Sequence, residues 1–196
     1  MKILSLFILF TLFNYSINAT KLYRGKASNT FFGYSNVHNF TGKVNSTPFK
    51  VNLEGGLLDF SVSFPIIEMD TDNSKRNRQM QGMFAQKKFP KVITKFTKVS
   101  LKKLLSTKEF TQNFIINIRA KDFPATATFK NIIESKKKLE FDVECTLLLR
   151  KIGLRPPSMM FGMVKVKNRV DTKTHFEFKK SALAIIKEKL KKTIKK

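Results

Sequence analysis

Side chains able to support catalysis or metal binding are few in this sequence. Cys145 is the only cysteine, and His38 and His175 are the only histidines among the 196 residues. A cysteine or serine nucleophile needs a base within hydrogen-bonding reach, and no G-x-S-x-G motif or glycine-rich phosphate loop occurs. A zinc site would need carboxylates as most of its ligands. We therefore expect no metal site and no cofactor.

Acidic residues alternate along two short stretches, and paired carboxylates can perform acid–base chemistry. The two sets are Glu68, Asp70 and Asp72, and Glu140, Asp142 and Glu144. Alternation also marks the solvated face of a strand, so we interpret the first set as a strand end leading into a helix cap and the second as a wet strand face. Cys145 falls on the apolar face of that second strand, which predicts a thiol packed in the core. No catalytic residue is predicted, and the protein is not expected to be an enzyme.

The segments that would position functional groups show apolar residues at every second position, as in half-buried strands. Between two of them, Gly55 and Gly56 suit the left-handed backbone of a tight turn and predict a hairpin. Strands at this spacing favour a sandwich or a barrel. The predicted strands are 49–53, 58–64, 92–101, 110–118, 125–132, 139–149, 159–166 and 170–178.

Two segments have a helical pattern instead. Residues 74–84 lack alternation and follow Asp72 and Asn73, either of which suits an N-cap. Residues 181–196 carry apolar side chains at intervals of three and four among lysines. This basic C-terminal helix could lie on an anionic membrane, or it could dock on the body of the protein with its lysines in solvent.

The N-terminal residues read as an export signal. Lys2 precedes the uncharged apolar run 3–13, which is too short for the about 20 residues of a transmembrane helix, and Ala19 suits a cleavage site. We therefore expect 1–19 to be a signal peptide, 20–180 one domain and 181–196 the basic helix. The mature protein would begin at Thr20 and be soluble and periplasmic or extracellular.

Charge and aromatic composition restrict the partners. Lys and Arg outnumber Asp and Glu by 38 to 14, for a net charge of +24, and 20 Phe occur without any Trp. This net charge produces a positive electrostatic field, which attracts anionic membranes, acidic polymers or nucleic acid. Nucleic acid is disfavoured because the Phe residues share strand faces with aliphatic residues rather than with Lys, and because an exported protein seldom meets it. The composition favours an apolar interior.

One long segment carries a family resemblance. Residues 64–101, FPIIEMDTDNSKRNRQMQGMFAQKKFPKVITKFTKVSL, resemble the signature of the YceI-like family of exported lipid-binding proteins. Residues 68–71 match the family's acid-hydrophobic-Asp-Thr element, 76–80 its Arg-Asp-x-His-Leu helix, and 88–90 its Lys-aromatic-Pro step. Asn77 and Gln79 depart from it, standing where the family prefers Asp and His.

Looser matches extend the resemblance over nearly the whole mature chain. Residues 37–42 look like the family's early strand, and 145–153 look like its late strand. The resemblance implies an all-β protein, an extended lipocalin-like antiparallel β-barrel of about eight strands with a short interior helix. It also implies an apolar interior that holds a long polyisoprenoid or fatty-acyl chain, and a barrel of about eight strands can enclose one such ligand.

Within such a barrel, inward-facing apolar residues would line the ligand, and the short helix would form the rim beside its head group. The rim candidates are Arg76, Arg78 and Gln79. The expected lining residues are Phe60, Val62, Phe64, Phe96, Phe114, Ile116, Phe141, Val143 and Phe176. Every one of them could equally belong to a filled core.

Three functions are compatible with these sequence features. The favoured one is an exported binding protein that stores or transports an isoprenoid or fatty-acyl lipid. The second is a basic envelope or surface protein that binds anionic membrane or acidic polymer electrostatically, and an enzyme is third. Chain length and head group of the lipid stay open, as does the oligomeric state, with a dimer among the alternatives.

Overall fold

A computed structural model describes residues 21–135, 138–159 and 162–179. This part of the chain is mainly β-structure, with two short α-helices between strands. The strands are β1 Lys21–Ser35, β2 Phe40–Glu54, β3 Leu57–Pro65, β4 Lys91–Ser100, β5 Phe110–Ile118, β6 Lys121–Glu134, β7 Lys138–Leu148, β8 Ser158–Met159 and β9 Val164–Lys179; the helices are α1 Ser74–Met83 and α2 Leu101–Ser106.

Eight of these strands form a closed antiparallel barrel. Neighbouring strands from β1 to β7 pair in chain order, β7 then pairs with β9, and β9 pairs back with β1. Within the described residues, the two-residue β8 pairs only with β9 and lies outside the ring. The all-β barrel of about eight strands predicted from the sequence is confirmed.

Alternation of apolar residues produces the barrel's interior. In β3, Leu58, Phe60, Val62 and Phe64 are all buried, while the residues between them are exposed or half-buried. A pleated strand sends successive side chains to opposite faces, so this pattern fixes which face points inward. The β2–β3 hairpin turns through Gly55 and Gly56 at φ +55° and +79°, as the sequence predicted.

The antiparallel order places the connections at two opposite ends of the barrel. At one end, which we call the α1 end, lie α1, the loop 36–39, the β5–β6 turn 119–120 and the segment 149–159. At the other end, the α2 end, α2 buries Leu101 and Leu104, and the amide of Leu101 bonds to the carbonyl of Gly56. A helix therefore covers each end.

Helix α1 begins where predicted and is fixed to the chain before it. The side chain of Asn73 is the N-cap and accepts the amide hydrogen of Arg76 at 2.9 Å. The Asn77 side chain accepts from the hydroxyl of Thr71 at 2.6 Å and donates to Asp70 at 2.8 Å. This last hydrogen bond lowers the pKa of Asp70. Of the alternating carboxylates before the helix, Asp70 thus binds the side chain of Asn77 within α1.

Glycines of β1 and β2 lie opposite aromatic residues. The register pairs Gly42 with Phe31, Gly33 with Phe40 and Gly25 with Phe49. A Cβ atom at Gly42 or Gly33 would overlap the opposite ring. Each ring therefore occupies the space left by the missing side chain, an arrangement known to fix strand register.

We expect Gly42→Ala to lower the free energy of unfolding by about 1–3 kcal/mol, because the new methyl group must displace the Phe31 ring. Gly82→Ala is the matched control. No atom lies within 4 Å of a Cβ built at Gly82, and Gly82 lies in α1, where Ala is favoured over Gly by about 0.5–1 kcal/mol. Urea unfolding should therefore show opposite signs, and equal stability of Gly42→Ala and wild type would contradict the pairing.

Three predicted strand boundaries are wrong. The predicted strand 159–166 is interrupted, because β8 ends at Met159 and β9 begins only at Val164, with Gly162 at φ +90°. Residues 37–39 form a loop ahead of β2, so the strand predicted over 37–42 begins at Phe40. The strand expected to continue through 145–153 ends at Leu148, and a 3₁₀ turn, Leu149–Ile152, follows it.

Two elements were not predicted from the sequence, and two predicted segments lie beyond the described part of the chain. The unpredicted elements are the helix α2 and the strand β1. β1 lacks an alternating apolar pattern because glycines and polar residues occupy many of its positions. The predicted signal peptide 1–19 and basic helix 181–196 lie outside the described residues. Across the ranges that are described, no helix has the length and apolar content needed to span a membrane.

The acidic face of β7 is more buried from solvent than the sequence predicted. Asp142 is only 6% exposed and lies among Asn131, Lys173 and His175 at 2.7–2.9 Å. Burial raises the pKa of Asp142, but hydrogen bonds from these three neighbours outweigh burial, so the pKa lies below its ordinary value. Glu140 and Glu144 pair with lysines on the same face. These carboxylates join strands on the outer surface of the barrel.

Candidate ligand-binding cavity

The barrel interior is divided along its length. Toward the α2 end, phenylalanine rings pack against one another with centroids 4.8–6.4 Å apart, distances typical of stacked and edge-on pairs. We call this group the aromatic cluster: Phe49, Phe60, Phe96, Phe110, Phe114, Phe129, Phe141, Phe176 and Phe178. It fills the interior at the α2 end.

Toward the α1 end the interior contains an apolar cavity of about 320 Å³. Strand residues from around the barrel form its wall, and Phe96 and Phe114 separate it from the rest of the aromatic cluster. Most lining side chains are aliphatic, aromatic or methionine. They include Phe31, Phe64, Met69, Val92, Ile116, Ile118, Val143, Cys145, Leu147, Leu149, Ile152, Leu154, Val166 and Val170.

Helix α1 covers the cavity with one of its faces. Arg76, Gln79, Met80 and Met83 line the cavity, and their spacing of three and four residues places them on one side of a helix. The Arg76 guanidinium lies 4.5 Å from the centre of the Phe40 ring and donates to the carbonyl of Thr71 at 3.2 Å. Arg76 therefore joins α1 to the start of β2, at the mouth of the cavity.

The predicted site residues fall into three groups. The first lines the cavity: Phe64, Phe96, Phe114, Ile116, Val143, Arg76 and Gln79. The second, Phe60, Phe141 and Phe176, packs in the aromatic cluster away from the cavity, and Val62 is fully buried without lining it. Arg78 is exposed on the outer side of α1.

Other lining residues were not predicted from the sequence. Ile118, Leu147 and Leu149 continue the same period-two faces as Phe114 and Val143, so the alternation contained a signal for them. Met80 and Met83 could have been recognised only from the position of α1 over the barrel. Methionine side chains are unbranched and adapt to the shape of a partner, which suits the cover of a ligand cavity.

Cys145, the single cysteine of the sequence, lines the cavity and has a thiol of low reactivity. Burial, with a smaller contribution from the charge of Asp171, raises the pKa of Cys145 from 9.0 to about 11. The thiol is therefore protonated at neutral pH, and only a thiolate is a strong nucleophile. This agrees with the predicted packing role. Its contribution to stability is present below pH 9 and is lost as pH rises toward 11.

We expect Cys145 in the folded protein to resist alkylation by iodoacetate at about pH 8, because the thiol is buried and neutral. Addition of urea should make the reaction fast, since the unfolded chain exposes a thiol of ordinary pKa. Mass spectrometry of intact protein measures the label, and Cys145→Ser provides the unlabelled control. Equal labelling with and without urea would contradict the burial of the thiol.

A closed antiparallel barrel with an apolar cavity under a helix is a lipocalin-like architecture, which is wide enough to enclose a small ligand. The YceI-like domain model matches residues 18–178. The chain therefore belongs to the YceI-like family, as the resemblance over residues 64–101 indicated. No curated protein matches the sequence.

Solved structures share the fold at low sequence identity. A polyisoprenoid-binding domain from Saccharophagus degradans, implicated in plant cell wall breakdown, is 8% identical, with a TM-score of 0.57 over 81% of this chain and 99% of that one. Burkholderia cenocepacia BcnA is 11% identical, with a TM-score of 0.62 over 77% and 95%. The Campylobacter jejuni YCEI protein is 12% identical, with a TM-score of 0.57 over 73% and 86%.

Proposed function

We propose that the protein binds an isoprenoid or fatty-acyl lipid, with the chain in the apolar cavity and the polar end beneath α1. The observation that carries this proposal is the cavity itself, enclosed by apolar side chains and covered by a helix with polar residues at its edge. The similar domain from Saccharophagus degradans is described as polyisoprenoid-binding, which supports the same ligand class here.

The cavity supplies burial rather than directional contacts. Transfer of hydrocarbon from water contributes about 25 cal/mol for each Å² buried, so affinity would grow with the length of chain enclosed. A volume of about 320 Å³ lies at the lower end of the roughly 300–1,000 Å³ found for small-molecule sites. The aromatic cluster closes the other end of the interior, so we expect the chain to enter at the α1 end.

Binding, rather than catalysis, is the activity that this site supports. Cys145 contributes a thiol to the cavity lining, and its pKa of about 11 keeps it protonated. The carboxylates of β7 lie on the outer face of the barrel, where they pair with Lys and His. We infer a storage or transport role in the periplasm or outside the cell, after removal of residues 1–19.

Purified protein, extracted with organic solvent and analysed by mass spectrometry, tests the proposal. We expect a single class of lipid in a ratio to protein approaching one, and saturable binding of a fluorescent polyprenyl probe. Absence of lipid from several preparations, together with no probe binding, would overturn the carrier function. The electrostatic binder would then be the better account of this chain.

A further inference from the structure

A second pocket, which we call the basic pocket, adjoins the cavity at the α1 end. Its volume is about 430 Å³. Three residues, Gln79, Met83 and Pro157, line both the basic pocket and the cavity. The other lining residues are Arg119, Gly153, Arg155, Pro156 and Ser158. The polar pocket therefore lies directly beside the apolar cavity, at the end where the head group of a bound lipid would emerge.

Two arginines give the basic pocket its charge. Arg119 comes from the β5–β6 turn and Arg155 from the segment after β7, and both are exposed. Neither makes an ion pair or a side-chain hydrogen bond with any other described residue. By contrast, Arg76 donates to Thr71 and Arg169 pairs with Asp171. The two pocket guanidinium groups thus keep their donors available.

The surrounding sequence reinforces this positive charge. Residues 145–170, which include the segment with Arg155, contain six Lys or Arg and no Asp or Glu. A planar guanidinium presents paired N–H donors that match the oxygens of a phosphate or a carboxylate. An oxyanion in the basic pocket would therefore meet unused donors in a positive field.

The backbone at Arg119 is strained. Ile118 pairs with Lys121, and the two residues between them, Arg119 and Ala120, have φ of +54° and +59°. A two-residue turn with both φ values positive strongly prefers Asn-Gly. A residue that tolerates positive φ, such as Asn or Gly, would therefore relieve strain in this turn, a property that the variants below use.

We infer that the basic pocket is the head-group subsite of the lipid and selects an oxyanionic head, held by Arg119 and Arg155. The inference rests on the proposed function and adds the chemistry of the ligand's polar end. A phosphate and a carboxylate share this chemistry, so both head groups belong in the test.

Matched ligand pairs test the selection. We expect wild-type protein to bind farnesyl monophosphate about tenfold more tightly than farnesol, since hydrogen bonds to an ionised group are stronger than those between neutral groups. Palmitate against hexadecanol is the carboxylate pair. Titration calorimetry or displacement of a fluorescent probe gives each Kd. A preference in either pair supports the subsite, and a preference confined to one pair identifies the head group.

The variants separate the subsite from general electrostatic attraction. Arg119→Asn should weaken binding of the anionic ligand about tenfold, leave the alcohol's Kd unchanged and raise Tm, because Asn tolerates the left-handed backbone. Arg155→Gln should have the same effect on binding without the rise in Tm. Lys121→Gln removes the same charge from the same turn but outside the pocket, and Ala120→Gly relieves the turn without removing charge. Both controls should bind like wild type.

Each outcome has a distinct meaning. Equal Kd values for anion and alcohol in both pairs would overturn the subsite while leaving the lipid cavity intact. An equal loss in Lys121→Gln and Arg119→Asn would also overturn it, because the effect would then be general electrostatic attraction. Failure of all four ligands to bind would overturn the proposed function, and the subsite with it.

Discussion

Tryptophan in place of Leu147 is expected to reduce the lipid recovered per mole of protein about tenfold, with the fold retained. Leu147 lines the cavity, and the larger indole would occupy space that the ligand needs. Since the space is empty of protein atoms, the substitution should cost less than about 1 kcal/mol of stability. Organic extraction followed by mass spectrometry, with thermal unfolding of the same sample, measures both quantities.

The same substitution at Leu139 is the matched control. Leu139 lies on the same face of the same strand, eight residues earlier, and is 2% exposed without lining the cavity. Overpacking a filled core costs about 1–3 kcal/mol of stability, so Leu139→Trp should lower Tm. The lipid recovered per mole of folded protein should not change. If Leu147→Trp carries as much lipid as wild type, the ligand does not occupy this cavity.

Alanine in place of Phe129 is expected to lower the free energy of unfolding by about 3–5 kcal/mol. Phe129 is fully buried and contacts the rings of Phe96, Phe110 and Phe141 at centroid distances of 4.8–5.6 Å. Removing its ring would leave a hole among side chains that cannot collapse into it. Denaturant unfolding monitored by circular dichroism provides the measurement.

Phe64→Ala serves for comparison, because Phe64 is also buried but borders the cavity. Its ring has contacts on fewer sides, so we expect a smaller loss of stability than for Phe129→Ala. For ligand binding the order should be reversed. Phe64→Ala should change the amount of lipid recovered per mole of protein, whereas Phe129→Ala should leave that amount close to the wild-type value. Equal losses of stability would argue against a division between cluster and cavity.

The division of the interior also explains why a barrel with many phenylalanines can still hold a ligand. At the α2 end the rings contact each other, and this packing contributes to stability in a chain whose single cysteine excludes an internal disulfide. At the α1 end, aliphatic and methionine side chains leave space under a helix. The part of each strand near the α2 end thus contributes mainly to stability, and the part near the α1 end forms the ligand cavity.

The sequence by itself determined the faces of the strands. In β3 and β7 the alternation of apolar and polar residues predicted which side chains point inward, because the pleat of a strand imposes a period of two whatever its partners are. Helix α1 could also be predicted from the local sequence, because Asn73 caps it and the alternation of apolar and polar residues stops there. The strand β1 could not be predicted from its own sequence, because its glycines fit a strand only through their pairing with the phenylalanine rings of β2.

Only the tertiary structure decided how deep in the barrel each inward side chain lies. Phe60 and Phe64 occupy the same face of β3, yet Phe60 stacks on Phe96 in the aromatic cluster, whereas Phe64 lines the cavity. Likewise, Arg119 lies far along the chain from Gln79, but both line the basic pocket. Alternation specifies a face, while depth depends on strand register and on the closure of β9 against β1. These pairings join residues distant in sequence, so no local pattern contains them.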